Sequence, residues 1–547
     1  MYLLKRIVVC LIFILATSGI NAQQLTISNS QLAFGNVFEN SPDSLPITIQ
    51  NNFNRTINIT GFRFYTTYGA PAFSSLYQYF PIPAGGSVTV WIVFSPRHNV
   101  FHNSELVIMN DGLRGNPSVD LIGQGKYSNT YYNATQNLEE QALKGTLTNI
   151  ISTNYLSLGY NVARDSMFMI FDNKFINGQG ATQNTLECVY TGREAVGYVD
   201  RSDCQNNYSF NTEHTFPQGF FTSLEPMKSD LNHLFPTDNI ANNTRGDNPF
   251  GVVTNPTWTS GGSKGTNVLF EPRDAQKGKA ARALLYFVLR YQDYTNFVNP
   301  QETILRSWHQ TFLPNAIEQK RNNDVFRIQR NRNPFIDYPQ FVERITSICN
   351  NSIAPVVRSL DFPTDTINYG TVLPNLTTTF TYTVVNKGNN AVNFSNFSLS
   401  NSSVFQFNSG GNDTVIGPGD ALSLKINCFT TTSDSVRAFL YYMTDATGSG
   451  LLTAPIFAND LVFTQLNSPE QLDFSIYPNP VHNTLNVRGA FASSIQCTIY
   501  DLTGRTLYSK NENNTDFNID VSHFPAGVYQ LQLSTTHSFF NKRIIVE

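Results

Sequence analysis

From residue 24 to residue 127, apolar and polar residues alternate in short runs broken by Asn, Pro and Gly, and the same texture returns over residues 355–460. Leu45-Pro-Ile-Thr-Ile-Gln50 and Val88-Thr-Val-Trp-Ile-Val-Phe94 are examples. A two-residue period puts alternate side chains on opposite faces of a strand, so each segment is expected to fold as an all-β sandwich. The two segments also share landmarks. Phe34-Gly-Asn-Val37 matches Tyr369-Gly-Thr-Val372, and Ile82-Pro-Ala-Gly85 matches Ile416-Gly-Pro-Gly419, each ahead of a strand. Two copies of one β module are therefore expected to flank the middle of the chain.

The middle, residues 128–353, has a different period. Leu138–Ile151 and Ala275–Tyr291 carry apolar residues at helical spacing, with Ala281, Leu284, Leu285 and Val288 on one face of the second run. Phe312–Ile328 and Tyr338–Ile348 also read as helical, which predicts a mixed, mostly α domain. Residues 466–547 return to β patterning. At the N-terminus, Lys5 and Arg6 precede the ten-residue apolar run Ile7–Ala16, and Ala22 offers a small residue before a cut ahead of Gln23. Residues 1–22 are read as a secretory signal peptide, too short in its apolar run to span a membrane. No later run reaches the ~18 apolar residues of a membrane helix. Five cysteines remain after the signal, without a CxxC pair, which argues against structural zinc. In an exported chain, pairing of Cys188 with Cys204 is favoured over two ordinary thiols.

Three resemblances follow from these residues. The repeated modules, 24–127 and 355–460, are similar to the immunoglobulin-like modules of exported bacterial surface proteins, of the ASPM-SPD-2-Hydin or choice-of-anchor type. Ser475-Ile-Tyr-Pro-Asn-Pro480, Asp501-Leu-Thr-Gly-Arg505, Phe524-Pro-Ala-Gly-Val-Tyr529 and the basic terminal strand Lys542–Glu547 resemble the C-terminal sorting domain of the type IX secretion system, with Phe524 at the family's usual Leu position. That resemblance implies delivery outside the cell or to its surface by the type IX machinery.

The third lies in the middle domain. Asn211-Thr-Glu-His-Thr-Phe-Pro217 is followed by Asp230-Leu-Asn-His-Leu-Phe-Pro236 and by Asn242-Asn-Thr-Arg-Gly-Asp-Asn-Pro-Phe-Gly251. A phosphodiester hydrolase needs a base that works near neutral pH, which a His supplies, and a hard cation held by a few oxygen ligands. The ordered motifs, with Phe270–Arg282 and Arg327–Ile336, resemble the endonuclease I family over about residues 131–345, exported nucleases with the ββα-metal or His-Me finger site. The resemblance implies a multidomain chain: an α+β nuclease core at 128–353, flanked by immunoglobulin-like β-sandwiches and closed by an all-β sorting domain at 466–547.

It also implies roles. His214 matches the general base, Glu213 and Asn242 match the ligands of one divalent cation, and Mg²⁺ is the expected ion, with Mn²⁺ or Ca²⁺ as substitutes. Some relatives carry a phosphate-binding Arg in an insertion that is short here and holds Lys228 but no Arg. Arg245 is then the first candidate to meet the scissile phosphate. The implied activity is non-specific hydrolysis of DNA, and in many relatives RNA, leaving 5′-phosphate ends, by a monomer. The competing expectation is a surface adhesion protein that binds nucleic acid without cutting it. Glu213 and His214, as neighbours on an extended strand, would point to opposite sides.

Charge narrows how substrate could be held. Lys and Arg sum to 36 against 40 Asp and Glu, a net charge of -4, which excludes a bulk polycation. Residues 128–353 hold 20 basic against 21 acidic side chains, again close to neutral (20 − 21 = −1). Two local stretches are basic: six against two over Lys264–Arg290, and five against one over Lys320–Arg332. Arg273, Lys277 and Arg282 from the first stretch, with Lys228, are the expected substrate-binding cations. For Arg282 and Arg290, set in an otherwise apolar helix, an internal ion pair is the alternative. His233 is expected to be structural.

Overall fold

The computed structural model describes residues 24–65, 71–112, 114–448, 450–460, 474–489, 495–501, 506–512, 516–534 and 539–547. The expected signal peptide, 1–22, and Leu502–Arg505 of the Asp501 turn lie outside these residues. Contacts divide the chain into two compact units, one of residues up to 369 with 373–432 and 438–456, the other of 370–372, 433–437 and 457–547. Among the described residues, no helix is long and apolar enough to cross a membrane.

The alternating segments form paired sheets. Residues 25–126 build a four-stranded and a five-stranded sheet, and residues 360–458 build the same combination. Strand Asp43–Asn51 pairs antiparallel with Ser87–Phe94, so that Ile47 faces Val90 and Ile49 faces Val88. Ile47, Ile49, Val90, Ile92 and Phe94 are fully buried, whereas Trp91 between them is 49% exposed. That is the expected consequence of a two-residue period over one apolar core. Phe73 and Phe94 stack in this core at 4.7 Å.

The middle domain is organised by α1 (Glu140–Ser152), α2 (Tyr160–Ser166), α3 (Arg201–Tyr208), α4 (Asn239–Arg245), α5 (Asp274–Arg290), α6 (Thr295–Val298), α7 (Glu302–Thr311) and α8 (Ala316–Gln329). α5 is the central one. It is buried on all sides from Ala280 to Leu289, not on one face as its apolar spacing suggested, because α1 and α7 both pack on it. Gly278 permits that approach, since a Cβ there would sit 2.2 Å from the Phe312 carbonyl oxygen. α8 begins only at Ala316, after the Asn315 side chain caps the Glu318 N–H. The expected helix over 338–348 is instead a short helix, Pro334–Asp337, and a 3₁₀ turn, Pro339–Arg344, each started by a proline that cannot continue a helix before it.

The first β module, the middle domain and the second β module are tied by polar side chains. Arg344 is buried and reaches Asn99 Oδ1 at 2.7 Å and the Thr135 carbonyl at 3.1 Å. Tyr127 stacks on Tyr338 at 3.7 Å. Asn103 donates to Asp420 at 2.5 Å. Gly115 bridges to Thr381, where a Cβ would lie 1.9 Å from the Thr381 carbonyl oxygen. The favoured Cys188–Cys204 disulfide is corrected: both are free, buried thiols. Cys188 Sγ accepts the Asp238 N–H at 3.2 Å, and burial pushes the Cys204 thiol up to about 12.

The C-terminal unit, taken by itself, is all β. Phe474–Tyr477, Thr484–Gly489 and Asp516–Asp520 make one sheet, and Ile495–Tyr500, Thr506–Glu512, Gly527–Ser534 and Phe539–Val546 make a second. Leu485, Val487, Ile499, Leu531 and Ile544 fill the core between them.

Candidate active site

The motif residues gather on one β-hairpin and the helix that follows it. Phe210–His214 pairs antiparallel with Leu234–Asp238, placing Glu213 opposite Phe235 and His214 opposite Leu234. Asp238 ends the second strand and starts α4, accepting the Ala241 N–H at 2.8 Å and the Thr191 hydroxyl at 2.7 Å. Burial works against that carboxylate, but these bonds outweigh it and hold the group below its usual range. α4 packs back on the first strand, which completes a ββα unit.

Glu213 and His214 have separate surroundings, as their positions on one strand require. Glu213 is 2% exposed. Its Oε1 accepts the Tyr190 hydroxyl at 2.6 Å and lies 3.5 Å from Arg245 Nε. Burial raises this carboxyl, and the Arg245 guanidinium opposes that without cancelling it. A buried carboxylate with incomplete compensation favours an added cation. Asn242 sits half-buried on α4, while Asn243 beside it is exposed. A carboxylate and an amide oxygen are hard donors of the kind a divalent cation takes.

His214 closes the strand. Its Nε2 lies 3.1 Å from the Lys228 carbonyl oxygen. A carbonyl only accepts, so Nε2 carries the proton and Nδ1 is left as the base. Burial lowers the imidazole to about 3, helped by His233, so the ring is neutral at physiological pH. His233 is fully buried, with Nε2 2.7 Å from the Met227 carbonyl and its ring against Phe287 at 4.9 Å.

The loop between the strands is anchored at Asp230. This fully buried carboxylate accepts from Arg290 at 2.6 Å, Tyr286 at 2.8 Å, Tyr291 at 3.0 Å and Gln329 at 2.7 Å. It ties the start of the second strand to α5 and α8. Phe216 in the same loop stacks on Phe287 of α5 at 4.0 Å.

The expected cations are placed differently from one another. Arg245 is 1% exposed and donates to the Thr215 carbonyl at 2.6 Å and the Gly246 carbonyl at 2.8 Å. A guanidinium held this way braces Glu213 and the hairpin. Arg282 makes the internal ion pair that stood as its alternative: it is buried in a two-pronged pair with Glu318, both bonds 2.6 Å. Arg273 pairs with Glu187 and donates to the Val189 carbonyl at 3.0 Å. Lys277 pairs with Glu271 and Asp274, both at 2.8 Å. None of these three is beside His214. Lys228 is: its Nζ lies 4.8 Å from the Tyr160 ring, which lies 5.5 Å from the His214 ring. Arg164 of α2, absent from the sequence expectations, covers the same Tyr160 at 4.2 Å. It lies outside the motifs, and only the folding of α2 onto the hairpin loop brings it here.

Two segments of the chain match known families. Residues 139–340 match the endonuclease I family, and residues 475–547 match the secretion system C-terminal sorting domain. An extracellular ribonuclease of Bacillus subtilis (strain 168) is 25% identical over 236 residues, 40% of this chain and 78% of that protein. An extracellular ribonuclease of Bacillus amyloliquefaciens is 26% identical over 298 residues, 51% of this chain and 91% of that protein. The ASH/PapD-like domain of human CEP192 aligns over 23% of this chain and 99% of that one, at 13% identity and a TM-score of 0.19, too low to carry an argument. With its middle segment, 139–340, matching the endonuclease I family, its tail, 475–547, matching the secretion system C-terminal sorting domain, and extracellular ribonucleases among its relatives, the chain is an exported nuclease that hydrolyses phosphodiester bonds.

Proposed function

We propose that the endonuclease I domain is a divalent-cation-dependent, non-specific endonuclease that cuts DNA and RNA and leaves 5′-phosphate ends. The observation that carries this reading is the 3.1 Å contact from His214 Nε2 to the Lys228 carbonyl, which leaves Nδ1 free to take a proton. Nδ1 takes that proton from water, the water oxygen attacks phosphorus, the P–O3′ bond breaks, and the 3′ oxygen leaves and gains a proton from solvent. Glu213 and Asn242 would hold the cation, and Mg²⁺ there would neutralise charge on the phosphate and the departing oxygen. Tyr190 and Arg245 keep the Glu213 carboxylate oriented. Lys228 and Arg164, gathered on Tyr160 beside His214, meet the substrate phosphates in place of Arg245. RNA is included because both bacillary relatives are named extracellular ribonucleases.

The flanking modules, 24–127 and 355–460, act in this reading as immunoglobulin-like scaffolds around the nuclease. The tail, 466–547, directs export through the type IX machinery, and one chain suffices for cleavage. Cleavage of single-stranded DNA, duplex DNA and RNA by the full chain, with Mg²⁺ and with EDTA, tests the reading, with the new ends mapped by phosphatase sensitivity. Cutting of DNA and RNA that needs Mg²⁺ and leaves 5′-phosphates supports it. Cutting unaffected by EDTA, or 3′-phosphate ends, overturns it.

A further inference from the structure

We propose that a cavity in the nuclease domain, separate from the cleavage residues, is a phosphate site for a nucleoside monophosphate. The cavity has a volume of about 730 Å³ and is lined by the first turns of both α5 and α8. Neither Glu213, His214 nor Asn242 lines it. The volume falls in the range of small-ligand sites, ~300–1,000 Å³.

Three features make it an anion site. Two helix N-termini, from helices of 17 and 14 residues, open on it with their positive dipole ends. Gln276 lines it, is 1% exposed, and its amide Nε2 has no hydrogen-bond partner among the described residues. A buried amide donor without an acceptor is uncommon in a folded protein and points to an absent ligand atom. Lys279, one turn along α5 from Gln276, also lines the cavity and makes no ion pair or hydrogen bond among the described residues. The other lining cations are paired: Arg273 and Lys174 with Glu187, Arg321 with Asp172 and Lys320 with Asp324. Burial lowers the Lys279 ammonium, and the carboxylates of Glu318 and Asp172 oppose this without cancelling it.

The remaining wall suits a nucleobase. Phe171 lines the same cavity, and Arg321, also in its lining, lies over the Phe235 ring at 4.8 Å, so an aromatic edge and a guanidinium plane are both within reach of a base. A nucleoside monophosphate thus satisfies both ends, its phosphate accepting from Gln276 and Lys279 and its base lying on that wall. Such a molecule is the limit product of a nuclease that leaves 5′-phosphates, so occupancy would report product level to the enzyme.

Titration calorimetry of the full chain with AMP, adenosine and inorganic phosphate tests the site, in the wild type and in Lys279→Met, Gln276→Leu and Glu213→Gln variants whose unfolding midpoints are measured alongside. AMP is expected to bind the wild type and Glu213→Gln equally, adenosine to bind much less, and Lys279→Met to weaken AMP by about tenfold, the scale of one charge-assisted hydrogen bond. Gln276→Leu guards against misfolding of the Lys279 variant and should weaken AMP as well. Equal binding of adenosine and AMP, binding undiminished in both folded cavity variants, loss of AMP in Glu213→Gln alone, or no AMP binding at all overturns the proposal. Cleavage is not read, so the result stands apart from the proposed reaction.

Discussion

Replacing Asp230 by Ala should cost more than any surface substitution in the nuclease domain. The carboxylate is fully buried, and Arg290, whose side chain is 5% exposed, lies 2.6 Å from it. Its removal strands a buried guanidinium and deprives Tyr286, Tyr291 and Gln329 of their acceptor. Breaking a buried ion pair from one side costs about 3–5 kcal/mol, a large share of the ~5–15 kcal/mol that holds a folded protein. Asp230→Asn keeps the shape and one acceptor but loses the charge, so its loss should be smaller. Urea unfolding followed by tryptophan fluorescence is a suitable assay, since Trp258 and Trp308 both lie in this domain. The difference also has a pH signature. Burial works against the charged form, but Arg290, His233 and Tyr286 outweigh it and hold the carboxyl below its usual 3.8. A depressed carboxyl contributes stability above the unfolded value and loses it as pH falls through the folded value. The gap between wild type and Asp230→Ala should therefore be full at neutral pH and shrink below about pH 3.8. A loss under about 1 kcal/mol at pH 7, the level of an exposed pair, would refute the anchoring role.

Other expected outcomes are independent of this one. Arg282→Ala should lower stability by about 3–5 kcal/mol, because it leaves Glu318 buried and unpaired; lost nucleic-acid affinity with unchanged stability would restore a substrate role. Glu105 in the first β module is 3% exposed and pushed up to about 8, chiefly by burial. Its raised value means stability is lost as pH rises from 4.5 towards 8, so Glu105→Gln should stabilise at pH 8 and change little at pH 4, measured by thermal unfolding. Equal effects at both pH values would contradict the assignment. A chain ending at residue 460 should cut nucleic acid at the full-length rate but fail to reach the cell surface, tested by fractionation; normal surface delivery would contradict the sorting role.

Local patterns made much of the fold legible. The alternation at Ile47, Ile49, Val90 and Ile92 marks a sandwich face because each strand reads its own burial in its own sequence. The Leu138–Ile151 period marks α1 for the same reason. The sequence placed Glu213, His214 and Asn242 through ordered motifs, and these stand on one ββα unit. Long-range pairing was not legible. An internal pair was an open alternative for Arg282, but its partner, Glu318, lies 36 residues on and only folding identifies it. Arg245 looks free until Glu213 and the Thr215 carbonyl enclose it. Lys228 was singled out for its ammonium, whereas its backbone carbonyl sets the His214 tautomer, a role that no side-chain identity encodes. Arg164 belongs to no motif and reaches the site only because α2 folds against the hairpin loop.

The central claim is that His214 is the base. Single-turnover cleavage of a labelled oligonucleotide by wild type and His214→Ala in Mg²⁺, with affinity measured separately in Ca²⁺ or EDTA, tests it most directly. A base contributes to the transition state and little to ground-state binding. The expected result is a rate lower by about 10²–10⁴-fold at unchanged affinity. Cleavage by His214→Ala at the wild-type rate would contradict the claim.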